Sequence, residues 1–257
     1  MVYRKKGIEK LPVEYIACCS FGKDSLASVL LALEHNEPLD EVLYCEVMFD
    51  DEISAEHPVH RDFIYNTAIP YLEARGVKVS VVRSKHNLAN CFIKRNRRGK
   101  EDRRGKIWGF PLSGMCYLNT LGKIAPINSF LRNRNTIQYV GIAIDEPRRL
   151  ARLKEKSHTI SLLEKYQYTE EMATELCKRH NLLSPIYSTI SRGGCWFCPS
   201  ATIKEFASFK KDYPQIWSKF EALYFDNKED LTRTKLRYSD EFEEILERID
   251  ITNEKTK

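Results

Sequence analysis

The sequence predicts an α/β fold: a Rossmann-like, doubly wound, mainly parallel sheet with a helical C-terminal extension. Three observations carry this expectation. Short β-forming apolar runs alternate with helical patterns along the first two thirds of the chain. The first run passes through a polar, glycine-containing turn directly into a helix. After Ser191 the pattern becomes helical and loop-like, with no clear further strand.

Each element follows from its own residues. Glu14–Cys19 (EYIACC) is a short apolar run of β type, and Ser25–His35 (SLASVLLALEH) places apolar residues at helical spacing. Glu41–Phe49 is nearly continuous in apolar residues, as a strand buried on both faces requires. His60–Arg75 reads as an amphipathic helix closed by Gly76, Val77–Val82 as a third strand and Ile137–Ile144 as a fourth. Leu182–Tyr187 is a candidate short fifth element, and Thr234–Ile249 a final acidic helix. The stretch between the third and fourth strands is about 50 residues, too long for a simple crossover, so it is expected to hold an insertion. The expected organisation is a core domain over 1–190, with a basic insertion near 92–110, and a second region over 191–257.

Composition narrows the class. Of 257 residues 42% are hydrophobic and 30% charged, enough to fill a core and stay in solution, which excludes a disordered chain, a fibre and a small stapled scaffold. No apolar run approaches a membrane span, and no signal-type stretch follows the basic start, so a cytoplasmic protein is expected. Eight cysteines (Cys18, Cys19, Cys45, Cys91, Cys116, Cys177, Cys195 and Cys198) are too few for a disulfide scaffold. In a reducing compartment they read as metal ligands, catalytic thiols or buried thiols.

Ser20-Phe21-Gly22-Lys23-Asp24-Ser25 is the most informative segment. Gly22 allows a turn that brings amides towards a ligand, and the following helix offers unpaired N–H groups and a positive dipole end. Ser20 and Ser25 add hydroxyls, Lys23 a point charge, and Asp24 a helix cap. Together they form a candidate pyrophosphate cradle; the competing reading is an ordinary strand-to-helix turn. A second segment, Arg192–Pro199, carries Cys195-x-x-Cys198 flanked by glycines and proline, a spacing suited to a metal, a cluster edge or a redox dithiol. Cys116 lies 79 residues before Cys195.

The hexapeptide resembles the SGGKDS-type loop of the PP-loop ATP pyrophosphatases, the adenine nucleotide alpha hydrolases, with Phe21 at the usual second glycine. Cys116 with the later C-x-x-C resembles the phosphoadenosine phosphosulfate (PAPS) reductase superfamily among them, whose adenylyl-sulfate reductases hold a 4Fe–4S cluster on a Cys-Cys pair and a C-x-x-C. Here the adjacent pair is Met115-Cys116. Gly141–Arg149 (GIAIDEPRR) resembles the G-x-R-x-D-E-S-x-R segment of the same superfamily, with Ala143 at the usual arginine. The resemblance spans roughly residues 14–225 and is closest to compact, prophage-type members.

The resemblance implies several assignments. ATP, or alternatively PAPS or adenylyl sulfate, is held by Ser20, Phe21, Gly22, Lys23, Asp24, Ser25, Gly141, Asp145, Arg148 and Arg149. Lys23 and Asp24 take catalytic roles. Mg²⁺ would accompany the phosphates; Asp50 and Glu52 read equally as its carboxylates or as solvated loop acids. Cys116, Cys195 and Cys198 hold a 4Fe–4S cluster, or zinc in the competing assignment; Cys177, in the helical stretch ATELCKRH, reads as a buried helix thiol ahead of a fourth ligand. No cysteine follows Cys198, so the C-terminal thiolate of true PAPS reductases has no counterpart here.

The formal charge of +5 is concentrated locally. Lys94–Lys106 (KRNRRGKEDRRGK) carries eight basic and two acidic residues, +6, which leaves −1 for the rest. An exposed loop of this kind suits phosphate contacts to RNA or DNA, with Phe92, Trp108, Phe110 and Tyr117 as candidate stacking rings; a solvated insertion, or one folded over the nucleotide phosphates, are its other readings.

The primary expectation is therefore a PP-loop enzyme that adenylates a substrate, releases pyrophosphate and uses a cysteine-bound cluster for sulfur or electron transfer, with a nucleobase as substrate class. The alternatives are a PAPS or adenylyl-sulfate reductase releasing sulfite, and a nucleotide or nucleic-acid binding module with structural zinc.

Overall fold

In the computed structural model the described residues are 11–98, 101–111, 116–190, 193–237 and 240–255. In chain order the elements are β1 (Val13–Cys18), α1 (Lys23–Glu34), β2 (Glu41–Glu46), α2 (Pro58–Phe63), α3 (Ile69–Glu73), β3 (Lys78–Arg83), α4 (Leu88–Phe92), α5 (Ala125–Leu131), β4 (Asn135–Tyr139), α6 (Pro147–Lys154), β5 (Thr159–Ile160), α7 (Leu162–Lys165), α8 (Glu170–Arg179), α9 (Ile203–Asp212), α10 (Pro214–Phe225) and α11 (Phe242–Glu254). The fold is the expected α/β one. A five-stranded sheet runs β3-β2-β1-β4-β5, with every pair parallel. Order therefore reverses between β1 and β4, where a doubly wound sheet opens a crevice at the carboxyl ends of its strands.

The alternation of side chains along each strand explains why helices cover both faces. Ala17, Val42, Tyr44 and Tyr139 bury against α1, α2, α3 and α8, whereas Ile16 and Leu43 face the other way, onto Leu131 of α5. β2 is buried at every residue, as its unbroken apolar run predicts, while the edge strand β3 is partly exposed.

Several boundaries differ from the expected ones for local reasons. β2 ends at Glu46 rather than Phe49, because residues 47–55 fold back through Ala55 N–H to Val47 O and Phe49 N–H to Ile53 O. The helix expected at 60–75 begins at Pro58, where a missing N–H costs nothing, and passes through a π turn at Ile64–Ala68. The fifth strand is Thr159–Ile160; Leu182–Tyr187 instead leads into a 3₁₀ turn, Pro185–Ser188, capped by the Ser184 hydroxyl. The last helix starts at Phe242, set by a capping box between Glu241 and Glu244.

The chain forms two compact units. The first holds the sheet, within residues 1–46, 58–83 and 125–193. The second joins 47–57 and 84–124 to 194–257, so it is discontinuous, whereas the expected partition ran along the chain at 190. The reason is burial. Phe49, Phe92 and Phe110 from the early segments pack in one aromatic core with Trp196, Phe197, Phe206, Trp217, Phe220 and Phe242. Trp196 stacks on Phe209 at 4.6 Å and Phe110 meets Phe242 at 4.9 Å. No helix among the described residues is long and apolar enough to cross a membrane.

Candidate functional site

In the first unit, β1 delivers the chain into the Ser20–Ser25 loop at the point of order reversal. Phe21 takes φ 58°, the left-handed region that a glycine would enter freely. Its ring is fully buried, edge-on to Tyr44 at 5.4 Å. Burial of a phenyl side chain is worth about 1.5–3 kcal/mol, which offsets a backbone cost of about 1–2 kcal/mol. The substitution at the resembling loop's second glycine thus keeps the turn and adds an anchor.

The loop is braced from within. Ser20 N–H donates to Ser25 Oγ at 3.2 Å, and Ser25 Oγ donates to Gly22 O at 3.0 Å. Leu26 N–H closes the first helical bond to Gly22 O. The N–H groups of Gly22, Asp24 and Ser25 meet no acceptor among the described residues. Gly141, just beyond β4, lies hard against this loop: a Cβ there would stand 2.4 Å from Ser25 N and 2.5 Å from Asp24 O. Only glycine permits that approach, and it brings the loops after β1 and β4 together.

Charge at the loop is not simply positive. Lys23 Nζ reaches Asp24 at 2.7 Å and Glu170 at 2.6 Å. Burial works against its ammonium, but those two hydrogen bonds prevail and its pKa rises. Burial pushes the Asp24 carboxyl up, with Lys23 pulling the other way and Glu170 and Glu146 adding to the rise. Asp145 accepts from Glu170 N–H at 3.3 Å and so ties the start of α8. Arg148 and Arg149 are exposed at the start of α6, with Arg149 paired to Glu146.

Residues without a motif complete the surroundings. Tyr187 Oη accepts from Lys23 N–H at 3.0 Å. His60 is buried between Ser184 Oγ, 2.8 Å from Nδ1, and Ser20 O, 3.3 Å from Nε2. Cys177 Sγ donates to Lys23 O at 3.3 Å, and burial pushes the thiol up to about 12. Cys177 therefore belongs to the packed interior of the first unit, between α1 and α8.

The three cysteines expected to bind a metal all lie in the second unit. The Cys-x-x-C segment forms a turn, with Cys198 N–H donating to Cys195 O at 2.9 Å. Trp196 and Phe197 are buried in the aromatic core, and Trp196 Nε1 donates to Ser54 O at 3.0 Å, so the middle residues anchor the turn and the half-buried cysteines stand at its ends. Cys195 bridges Glu56 across a short antiparallel pairing. Burial first, then Glu56, Cys198 and Cys116, push the Cys195 thiol well above its ordinary range. Burial raises Cys116 as well, with Cys198 adding to it. Cys91, on α4, is a fully buried thiol within electrostatic reach of Cys116. Met115 lies outside the described residues.

The donor set is that of a thiolate site, but its side chains do not converge on one point: among the described residues no three His, Cys, Asp or Glu groups stand close enough to hold a metal ion. A tetrahedral zinc at about 2.3 Å from each sulfur needs such convergence. A 4Fe–4S cluster likewise needs its cysteines gathered around one cube, each on a different iron.

Asp50 and Glu52 are also in the second unit, where Asp50 Oδ1 accepts from Glu52 N–H at 2.9 Å and Ile53 N–H at 2.6 Å to shape a turn. The basic segment forms a short antiparallel excursion there, with Arg95 opposite Ile107 and salt-bridged to Asp230 at 3.1 Å. Arg97, Arg98, Arg103, Arg104 and Lys106 are exposed. The expected stacking set is corrected. Phe92, Phe110 and Tyr117 are buried in the core, because that core needs their rings, which leaves half-buried Trp108, with Lys94 Nζ 4.4 Å over it.

Cys91, Glu56, His60, Glu170 and Tyr187 have no motif around them, and no sequence signal marks them. No protein-family profile matches the chain, and no curated protein does. Among solved structures the chain is similar to the U34-tRNA thiolase NcsA from Methanococcus maripaludis with its 4Fe–4S cluster, at 12% identity and a TM-score of 0.42 over 89% of this chain and 72% of that one.

Proposed function

We propose that the protein is a PP-loop enzyme of the PAPS reductase-like kind, which binds ATP at the Ser20–Ser25 loop and transfers an adenylyl group to its substrate. The observation that carries this is the pressing of Gly141 onto Ser25 and Asp24 at the strand-order reversal, beside loop amides that have no acceptor among the described residues. Such amides at a helix N-terminus suit a pyrophosphate.

A substrate oxygen would attack the α-phosphorus, the bond to the bridging oxygen of the β-phosphate would break, and pyrophosphate would leave. The chain's contribution is position and charge stabilisation. Lys23 would exchange Asp24 or Glu170 for a phosphate oxygen. Asp24, Glu146 and Glu170 give this corner a negative balance, so the phosphates are expected to arrive with Mg²⁺. Exposed Arg148 would reach the phosphate tail from α6, and Arg149 would do so by exchanging Glu146 for a phosphate oxygen.

Cys116, Cys195 and Cys198, whose thiols lie within electrostatic reach of one another, are the residues that would hold a 4Fe–4S cluster, with zinc as the competing occupant. When bound, the cluster would supply sulfur or an electron to the activated substrate. The exposed arginines of 97–106 support a nucleobase in RNA or DNA as that substrate.

The test is titration calorimetry of anaerobically purified protein with ATP, PAPS and adenylyl sulfate, together with iron and sulfide assay. ATP is expected to bind, and the folded Gly141→Ala variant is expected to lose that binding. An absence of heat with all three nucleotides sinks the nucleotide reading. Zinc without iron or sulfide sinks the cluster. Sulfite release without pyrophosphate release moves the reaction to the reductase class.

A further inference from the structure

The Lys23 N–H is the first amide of α1, which at a phosphate-binding loop belongs to the anion. Here it donates at 3.0 Å to the phenol oxygen of Tyr187. The oxygen sits close over Gly22, where a Cβ would stand only 3.1 Å from it, tighter than ordinary contact, whereas a Cβ on Gly193 would meet it at an ordinary 3.8 Å.

The phenol is a poor substitute for an anion. Burial raises its pKa, so at neutral pH the oxygen is uncharged. Its own O–H meets no acceptor among the described residues. An N–H at a positive helix end binds an anionic oxygen about twice as strongly as a neutral one. A single N–H cannot serve both oxygens at full strength.

The base of the 3₁₀ turn that carries Tyr187 is fixed. Ser184 caps it, and buried His60 links Ser184 Oγ to Ser20 O on the same loop. The ring end, held to the loop by one hydrogen bond, is the exchangeable part.

We infer that Tyr187 is a built-in stopper of the anion site: its hydroxyl occupies the Lys23 amide when no nucleotide is present, and the pyrophosphate portion of the nucleotide displaces it on binding. This rests on the nucleotide reading of the loop and adds a competitor internal to the chain. It holds the loop in shape without ligand, and it lowers affinity by the cost of breaking one hydrogen bond.

The experiment compares wild type with Tyr187→Phe, which keeps the ring and removes the oxygen. Calorimetry with inorganic pyrophosphate and with a non-hydrolysable ATP analogue is expected to show binding about threefold to tenfold tighter in the variant, the worth of one neutral hydrogen bond. Amide hydrogen exchange supplies a readout that needs no ligand. The Lys23 N–H is expected to exchange faster in Tyr187→Phe than in wild type, and pyrophosphate should restore its protection in the variant. Equal or weaker pyrophosphate binding in the variant, or unchanged Lys23 exchange, overturns the stopper while the nucleotide reading stands. If wild type and variant both fail to bind either probe, the nucleotide reading itself falls and the stopper with it.

Discussion

The two chemically suggestive turns of this chain are held by opposite means. The Ser20–Ser25 loop is set by hydrogen bonds among its own residues and by the backbone of Gly141. The Cys195–Cys198 turn is set by the burial of its two middle residues in a ring cluster built from distant segments. A polar, locally braced loop can present amides to an anion without unfolding anything else. A thiol-bearing turn anchored by aromatic packing presents its cysteines only if the whole core has assembled. The first loop's form thus rests on short-range hydrogen bonds and one distant glycine, and the cysteine turn's on a ring core gathered from across the chain.

The largest effect expected to sharpen this contrast is at Phe220, fully buried among Phe49, Phe110, Trp196, Trp217 and Phe242. Phe220→Ala should cost about 3–5 kcal/mol in urea denaturation and raise the alkylation rate of Cys195 and Cys198. A cost near zero, with unchanged thiol reactivity, would mean that the ring cluster does not hold the turn.

A smaller effect separates packing from backbone in the other region. Phe21→Ala and Phe21→Gly both lose the buried ring, but glycine relieves the left-handed backbone at φ 58°. The glycine variant should therefore be the more stable of the two by about 1 kcal/mol. Equal stabilities would show that the loop carries no backbone strain at this position.

An effect confined to alkaline pH concerns Cys177. Its thiol is raised from 9.0 to about 12 by burial, so the neutral thiol is the form the fold favours. That contribution is fully present below pH 9 and is lost as pH rises towards 12, at up to about 1.4 kcal/mol per pH unit. Cys177→Ala should flatten the decline of stability between pH 9 and 11. A decline of the same slope in the variant would place the alkaline sensitivity elsewhere.

Four of the five strands and the turn at Ser20–Ser25 were legible in the sequence because their signals are short-range. Apolar runs reveal strands, and the order of strand, turn and helix reveals a loop aimed at the sheet's carboxyl end. β5 escaped notice because two residues, Thr159 and Ile160, carry no periodicity. The stacking expectation for Phe92 and Phe110 failed because an aromatic side chain beside a basic run reads alike whether it faces solvent or a core. Cys91 gave no sign of its nearness to Cys116, since a lone cysteine has no spacing to interpret.

What the linear chain determined, then, was the alternation of strand and helix, the polar turn after β1 and the identity of the thiols. Each depends on residues a few positions apart, so each is set by steric periodicity and turn chemistry alone. Only tertiary structure decided that Tyr187 would accept from an amide 164 positions away, that Gly141 would close on Ser25, and that segments 47–57 and 84–124 would join the C-terminal core. Those contacts arise where the parallel sheet and the ring cluster bring distant segments together, and their reward is buried surface and satisfied hydrogen bonds that exist only once the chain has folded.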